Sequence, residues 1–159
     1  MMKNRIISLI LVAVMCILAF TSCDYFFGGV AESGDVTVVV ENTDGTFDVY
    51  NCYLESVVNK SEGAKGVVEH LRDRDSDALH VEMINGPYGA YVSAIGSIKE
   101  NSADKKYVIV YTSLASDSYE GAPTVTYEGV TLYQSGFGLS DMTVESGGII
   151  LFRLEVSPY

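Results

Sequence analysis

A run of alternating aspartates is the first group of residues in this sequence whose spacing is suited to chemistry. Asp73, Asp75 and Asp77 form the pattern D-x-D-x-D that opens a calcium-binding loop. The following residues depart from that loop, because Ala78 replaces the glycine of its sharp turn and Ile84 replaces its bidentate glutamate. We interpret the segment as a solvated acidic loop and keep Asp73, Asp75 and Asp77 as a weak candidate calcium site.

The other residues that could act as catalysts or metal ligands are scattered. His70 and His80 are ten residues apart, and a zinc site would need further ligands from carboxylates or Cys52. No serine stands in a G-x-S-x-G nucleophile motif. The apolar neighbours of Cys52 indicate a buried small hydrophobic residue rather than an activated thiol. The sequence therefore predicts neither an enzyme nor a cofactor.

Tyrosines are the largest group of candidate binding residues. The chain has 11 Tyr and no Trp, and tyrosine is enriched at interfaces because it combines a large apolar ring with a hydroxyl. At least half of them are expected to pack within the domain. The candidates for a surface that binds a protein or glycan partner are Tyr88, Tyr91, Tyr107, Tyr111, Tyr119 and Tyr133.

The first 24 residues have the layout of an export signal. Lys3 and Arg5 precede an apolar run of 15 residues at 6–20, which ends on small and polar residues at 21–24. As a helix the run would span about 22 Å, which is shorter than the roughly 30 Å hydrocarbon core of a bilayer. A cleaved signal is therefore favoured over the alternative, an uncleaved membrane anchor.

The end of this segment, Phe20-Thr21-Ser22-Cys23, resembles the lipobox of bacterial lipoproteins, although Phe20 replaces the usual leucine. In that family a diacylglyceryl group is attached to the cysteine thiol and a peptidase cuts just before the cysteine. The resemblance covers residues 1–24 only. It implies lipidation at Cys23, attachment to a membrane through the acyl chains, and a location in the bacterial cell envelope facing the periplasm or the exterior. The choice between the two membranes stays open.

Charge and cysteine content limit what the rest of the chain can do. Without residues 1–22 the chain has eight basic and 21 acidic residues, a net charge of about −13. Such a surface repels phosphate groups, so nucleic acid is not an expected partner. Cys16 would leave with the signal and Cys23 would be acylated, which leaves Cys52 without a disulfide partner.

Strand patterning dominates after residue 34. Valines alternate with a second, more polar face in 35–41, which predicts a half-buried strand, and another strand is predicted at 47–58. Residues 61–72 have helical spacing, but Gly63 and Gly66 limit the expectation to one or two turns. Further strands are predicted at 78–84, 88–98 and 107–114.

Two segments near the C-terminus predict hairpins. A two-residue turn at Glu128-Gly129 would place the apolar residues of both arms on one face, namely Val125, Tyr127, Val130 and Leu132. A three-residue loop at 146–148 would pair Met142 and Val144 with the apolar residues of 150–156.

The strand count predicts an all-β fold. Seven to nine short strands separated by turn signals are typical of an antiparallel β-sandwich of the immunoglobulin or transthyretin type. The expected organisation is a signal peptide at 1–22, the lipidated cysteine and a flexible glycine-containing tether at 23–34, and the sandwich at 35–159.

These features together predict a lipid-anchored extracytoplasmic protein with a non-catalytic binding domain whose ligand stays unidentified. A structural, fimbria-like surface subunit, which would accept a strand from a partner, is the alternative. A small extracytoplasmic hydrolase is a third class, and no motif in the sequence supports it.

Overall fold

The computed structural model of the protein describes residues 28–74 and 79–156. The signal segment, Cys23, Asp75 and Asp77 lie outside the described residues, so the cleaved signal, the lipidation at Cys23 and the calcium site stay predictions. No helix within the two described ranges is long and apolar enough to cross a membrane. The elements are β1 (Gly29–Val30), β2 (Asp35–Glu41), β3 (Phe47–Tyr53), α1 (Gly63–Arg74), β4 (Val81–Gly86), β5 (Gly89–Ile95), β6 (Ile98–Lys99), β7 (Lys106–Thr112), β8 (Thr124–Tyr127), β9 (Val130–Gln134), β10 (Thr143–Val144) and β11 (Gly148–Val156).

The strands form a central sheet, a smaller second sheet and a short parallel pair. The central sheet has the order β3-β2-β11-β7-β9-β8, the second sheet has the order β4-β5-β6, and β1 pairs with β10. The all-β prediction is therefore confirmed. Two parallel pairings, β11 with β2 and β1 with β10, add to the antiparallel pairing that was expected.

β11 lies in the middle of the central sheet, between β2 and β7. The predicted hairpin between 142–144 and 150–156 is wrong, because β10 pairs with β1 instead. The glycine turn exists, with Gly147 at φ 77°, but the chain changes sheets there. Ile150, Leu151 and Phe152 are consecutive and all buried. A strand that is apolar on both faces buries more surface at the centre of a sheet than in a hairpin at its edge.

Apolar clusters cover both faces of the central sheet. On one face, valines of β2 and Phe152 pack against α1 and the second sheet. On the other face, Val39, Leu151 and Tyr111 pack with Tyr127 and Leu132 of the β8–β9 hairpin. Val39 was predicted on the more polar face of β2. It is instead fully buried, because the β8–β9 hairpin packs against that face.

The helix is longer than expected because its glycines permit close contacts. α1 has 12 residues, and its buried face includes Ala64, Val67, Val68 and Leu71. A Cβ at Gly66 would overlap the carbonyl oxygen of Asn59, and a Cβ at Gly63 would overlap that of Met142. The packing gained by this approach outweighs the weak helix propensity of glycine.

Residues 28–34 belong to the domain, which corrects the prediction that they form part of a flexible tether. β1 pairs with β10, and the amide of Ala31 donates to the carbonyl of Val144 at 2.8 Å. Val30 joins the larger apolar cluster and is 8% exposed. Burial of Val30 and the backbone ladder together order a segment that its glycines alone would leave flexible.

The β8–β9 hairpin has the predicted register. Tyr127 pairs with Val130 and Thr124 with Tyr133, while Glu128 and Gly129 adopt φ of 49° and 81°, as a primed two-residue turn requires. Tyr127 and Leu132 are buried as predicted, whereas Val130, which was predicted on the same buried face, is 39% exposed. β3, which was predicted to cover residues 47–58, ends at Tyr53 because a 3-10 turn follows it. Val58, which was predicted on the buried face of that strand, is 85% exposed.

Candidate functional site

The β4–β5 hairpin presents two of the predicted binding tyrosines to solvent. Gly86 pairs with Gly89, so Tyr88 lies in the turn, and Ile84 pairs with Tyr91. Ala90 and Val92 are buried against the domain. Because side chains alternate along a strand, the opposite face of β5 exposes Tyr91.

A neighbouring loop at 135–138 brings further exposed aromatic residues to this region. The amide of Gly138 donates to the carbonyl of Tyr88 at 3.1 Å, and a Cβ at Gly138 would overlap that carbonyl oxygen. Tyr119 lies beside Gly136 and donates its hydroxyl to Oε1 of Gln134 at 3.3 Å. We call the exposed side chains of the hairpin and these loops the aromatic surface, which consists of Ile84 (46% exposed), Tyr88 (85%), Tyr91 (44%), Tyr119 (48%) and Phe137 (37%).

Asp117, whose side chain is buried, contacts both β10 and the loop that carries Phe137. Asp117 is 5% exposed, and its Oδ2 accepts the amide of Thr143 at 2.6 Å. Its carbonyl accepts the amide of Gly136 at 2.9 Å. Burial raises the pKa of Asp117, and the charge of Glu145 adds to this, whereas the hydrogen bond from Thr143 lowers it. Asp117 thus links the loop at 135–138 to β10.

The remaining predicted tyrosines are not part of this surface. Tyr111 is 1% exposed, because it lies on β7 beneath the β8–β9 hairpin, and its hydroxyl donates to Oε1 of Glu155 at 2.8 Å. Burial, and secondly the hydrogen bond to Glu155, raise the pKa of Tyr111. Its prediction as a stacking residue is therefore wrong. Tyr107 and Tyr133 are half-buried on β7 and β9.

A serine and a histidine that sequence reasoning did not connect lie close together. Oγ of Ser56 is 3.0 Å from Nε2 of His70, beside a cleft of about 150 Å³ lined by Glu69 and Asp73. The hydroxyl of Ser56, however, donates its proton to the carbonyl of Tyr53 at 2.6 Å. The serine must then accept from His70, so the histidine is not placed to remove the serine proton as a general base would.

Three predicted metal ligands in the described part of the chain, Asp73, His80 and Cys52, have other partners or are buried. Nε of Arg72 donates to Oδ1 of Asp73 at 2.9 Å, and Nε2 of His80 lies 3.1 Å from Oε1 of Glu82. Cys52 is fully buried, and this burial raises the pKa of its thiol. Residues 28–74 and 79–156 contain no group of three histidine, cysteine or acidic side chains placed to hold a metal ion.

A cleft of about 340 Å³ lies between the β2–β3 turn and the end of β11. It is lined by Glu41, Lys106 and Arg153, among others. Nε of Arg153 is buried without a hydrogen bond of good geometry, but it lies 3.5 Å from Oε2 of Glu41 and 3.2 Å from Oε1 of Glu155. Both carboxylates offset the charge of Arg153, which leaves a weak electrostatic field for an anionic ligand.

Comparison with known proteins shows similarity at the level of the fold. No family model matches the chain, and no curated protein matches it. A Ruminococcus gnavus protein described as a "putative metal binding protein" is 12% identical with a TM-score of 0.51, over 78% of this chain and 98% of that one. Haptocorrin in complex with Cbi is 15% identical with a TM-score of 0.52, over 77% of this chain and 25% of haptocorrin. These likenesses extend to the fold alone.

Proposed function

We propose that this chain is a lipid-anchored bacterial cell-envelope protein that binds a protein or glycan partner through the aromatic surface and does not catalyse a reaction. The observation that carries the proposal is the exposure of five large apolar side chains on one hairpin and its adjoining loops. Exposed apolar side chains on neighbouring segments of a folded domain are typical of interaction sites, since their exposure to water costs free energy in the unbound state.

The framework beneath the surface supports a binding role. Gly138 contacts the hairpin turn directly, and Ser135 holds the loop through bonds to both the amide and the carbonyl of Phe137, at 3.1 and 3.0 Å. Aromatic side chains on an ordered backbone lose little conformational entropy when a partner binds. The surface therefore has the rigid, amphipathic character of a binding site.

The anchoring part of the proposal is based on the N-terminal sequence. The resemblance of Phe20-Thr21-Ser22-Cys23 to a lipobox places the acyl chains on Cys23. The acidic remainder of the chain would be repelled by anionic lipid headgroups, so membrane attachment needs the acyl chains. The aromatic surface then remains available to a partner in the aqueous compartment.

Site-specific photocrosslinking in cells tests the binding surface. Replacing Tyr88 by p-benzoylphenylalanine should give a discrete adduct on irradiation. The same replacement at Val58, which is also 85% exposed but lies outside the aromatic surface, serves as the control. An adduct that periodate shifts would identify a glycan partner, and an adduct whose tryptic digest contains peptides of a second protein would identify a protein partner. Equal adducts at both positions, or none at Tyr88, would refute the proposed surface.

Metabolic labelling with an alkyne analogue of palmitate tests the anchor. The wild-type chain should be labelled and should partition into detergent, and Cys23→Ala should lose both properties. Cys16→Ala and Cys52→Ala are matched controls that should keep the label, because neither cysteine follows a lipobox-like triplet. Label that persists in Cys23→Ala would contradict lipidation at that residue.

A further inference from the structure

β3 is an edge strand whose outward backbone groups can be assigned from its hydrogen bonds. The amide of Leu54 donates to the carbonyl of Gly34, and the amide of Asn42 donates to the carbonyl of Thr46. In this register the even-numbered residues of β3 form the backbone hydrogen bonds with β2. Hydrogen-bonded pairs alternate along an antiparallel ladder. The amide and carbonyl groups of the odd-numbered residues of β3, from Phe47 to Tyr53, therefore point away from β2.

Other groups already occupy the second half of this edge. Nη1 of Arg74 donates to the carbonyl of Asn51 at 3.1 Å, and Oγ of Ser56 donates to the carbonyl of Tyr53 at 2.6 Å. In the described ranges, no hydrogen bond is made to the outward amide or carbonyl of Phe47 or Val49. Among the residues that the structure describes, two donors and two acceptors therefore remain open at the first half of β3.

The side chains beside these open groups are apolar and exposed. Phe47 is 45% exposed and Val49 is 49% exposed. The ring of Phe47 also contacts that of Tyr127, with centroids 5.2 Å apart, so one wall of the site comes from the opposite edge strand. Open backbone groups next to apolar side chains match the requirements of strand addition, in which main-chain bonds give affinity and alternate side chains give selectivity.

We propose that the Phe47–Val49 edge binds an extended segment of another protein as an added β-strand, with apolar side chains at alternate positions and a lysine or arginine beside them. Charge complementarity favours the basic residue, because Asp44 and Asp48 flank the edge and the chain carries a net charge of −11. The same charge disfavours a second copy of this chain as the occupant, since two acidic surfaces would meet. This site is separate from the aromatic surface and does not depend on its function.

A synthetic peptide tests the proposal on the full chain in detergent micelles. The probe is a fluorescent Lys-Thr-Val-Thr-Val-Thr-Lys peptide, and its binding is followed by anisotropy. Val49→Pro removes one outward amide. The hydrogen bonds between β3 and β2 are kept, because proline is tolerated on an edge strand where its missing amide would point outward. The substitution should weaken binding about tenfold, the effect of losing roughly one hydrogen bond. Val58→Thr changes an exposed valine outside this edge and should bind as the wild type does.

A second comparison does not depend on the folding of the variants. The same peptide with N-methyl groups on alternate amides cannot form the main-chain ladder and should bind the wild-type chain at least tenfold more weakly. Binding that changes neither with Val49→Pro nor with N-methylation would overturn the proposal. So would the absence of binding at millimolar peptide. A concentration-dependent dimer that Val49→Pro abolishes would overturn it in favour of a second copy as the occupant.

Discussion

Replacing Gly66 by alanine should destabilise this protein, although the same change stabilises an ordinary helix. Gly66 lies within α1, where alanine is intrinsically favoured by about 1 kcal/mol. Here the new Cβ would overlap the carbonyl oxygen of Asn59 and lie 3.1 Å from its carbonyl carbon. The obstacle is backbone, so the helix itself must shift to relieve the contact.

The expected loss follows from the packing on the opposite side of the helix. Ala64, Val67, Val68 and Leu71 are at most 1% exposed, so a shift of α1 disturbs a filled core. Overpacking costs about 3 kcal/mol at the upper end of its usual range. After the propensity gain of about 1 kcal/mol, the free energy of unfolding should fall by about 2 kcal/mol. Urea denaturation followed by far-ultraviolet circular dichroism should show a midpoint lower by about 1 M.

Glu69→Ala is the matched control for this measurement. Glu69 lies on the same helix, forms a 3.9 Å ion pair with Lys65 and interacts electrostatically with Arg72; such pairs along a helix are worth about 0.5 kcal/mol or less each. Its unfolding midpoint should therefore stay close to that of the wild type. A Gly66→Ala variant that is as stable as the wild type, or more stable, would refute the claim that the close approach of the Asn59 backbone requires glycine at position 66.

Two further variants test the turn and the buried carboxylate. Glu128→Asn should raise the free energy of unfolding by about 0.5–1 kcal/mol, because Glu128 has φ of 49° and asparagine tolerates that conformation; an unchanged or lower thermal midpoint would contradict this. Asp117→Asn should lessen the loss of stability between pH 4 and pH 7. The pKa of Asp117 is raised above 3.8 by burial, so the folded state binds its proton more tightly and loses stability as pH rises through that interval. Urea titrations at both pH values measure it, and an equal pH effect in both proteins would disprove the assignment.

The sequence predicted those parts of the fold that depend on local patterns. The β8–β9 hairpin follows from alternation on both arms and from a glycine at the turn, because the register of a two-residue hairpin is fixed by its turn. The burial of Cys52 follows in the same way from its apolar neighbours. Of the predicted binding tyrosines, Tyr88, Tyr91 and Tyr119 are on the aromatic surface. The turn-forming residues Asn85-Gly86-Pro87 indicate the hairpin tip beside Tyr88 and Tyr91.

Long-range pairing decided the rest of the candidate site. Tyr111 and Tyr91 look alike in sequence, since each lies on a strand rich in β-formers, but only Tyr111 lies beneath a hairpin that folds over the sheet. Phe137 gave no local signal, because its position depends on the contact of Gly138 with Tyr88, 50 residues earlier in the chain.

By itself, then, the sequence determined that the domain is built from strands, and it supports the predicted anchor at Cys23. Composition, period-two alternation and turn residues act over a few residues and can be read without a fold. Only the tertiary structure decided that β11 lies beside β2, that β1 is part of the domain and that Phe47 and Val49 form an open edge. Those outcomes depend on which distant apolar faces bury each other best, and that choice is made by the whole core rather than by any one segment.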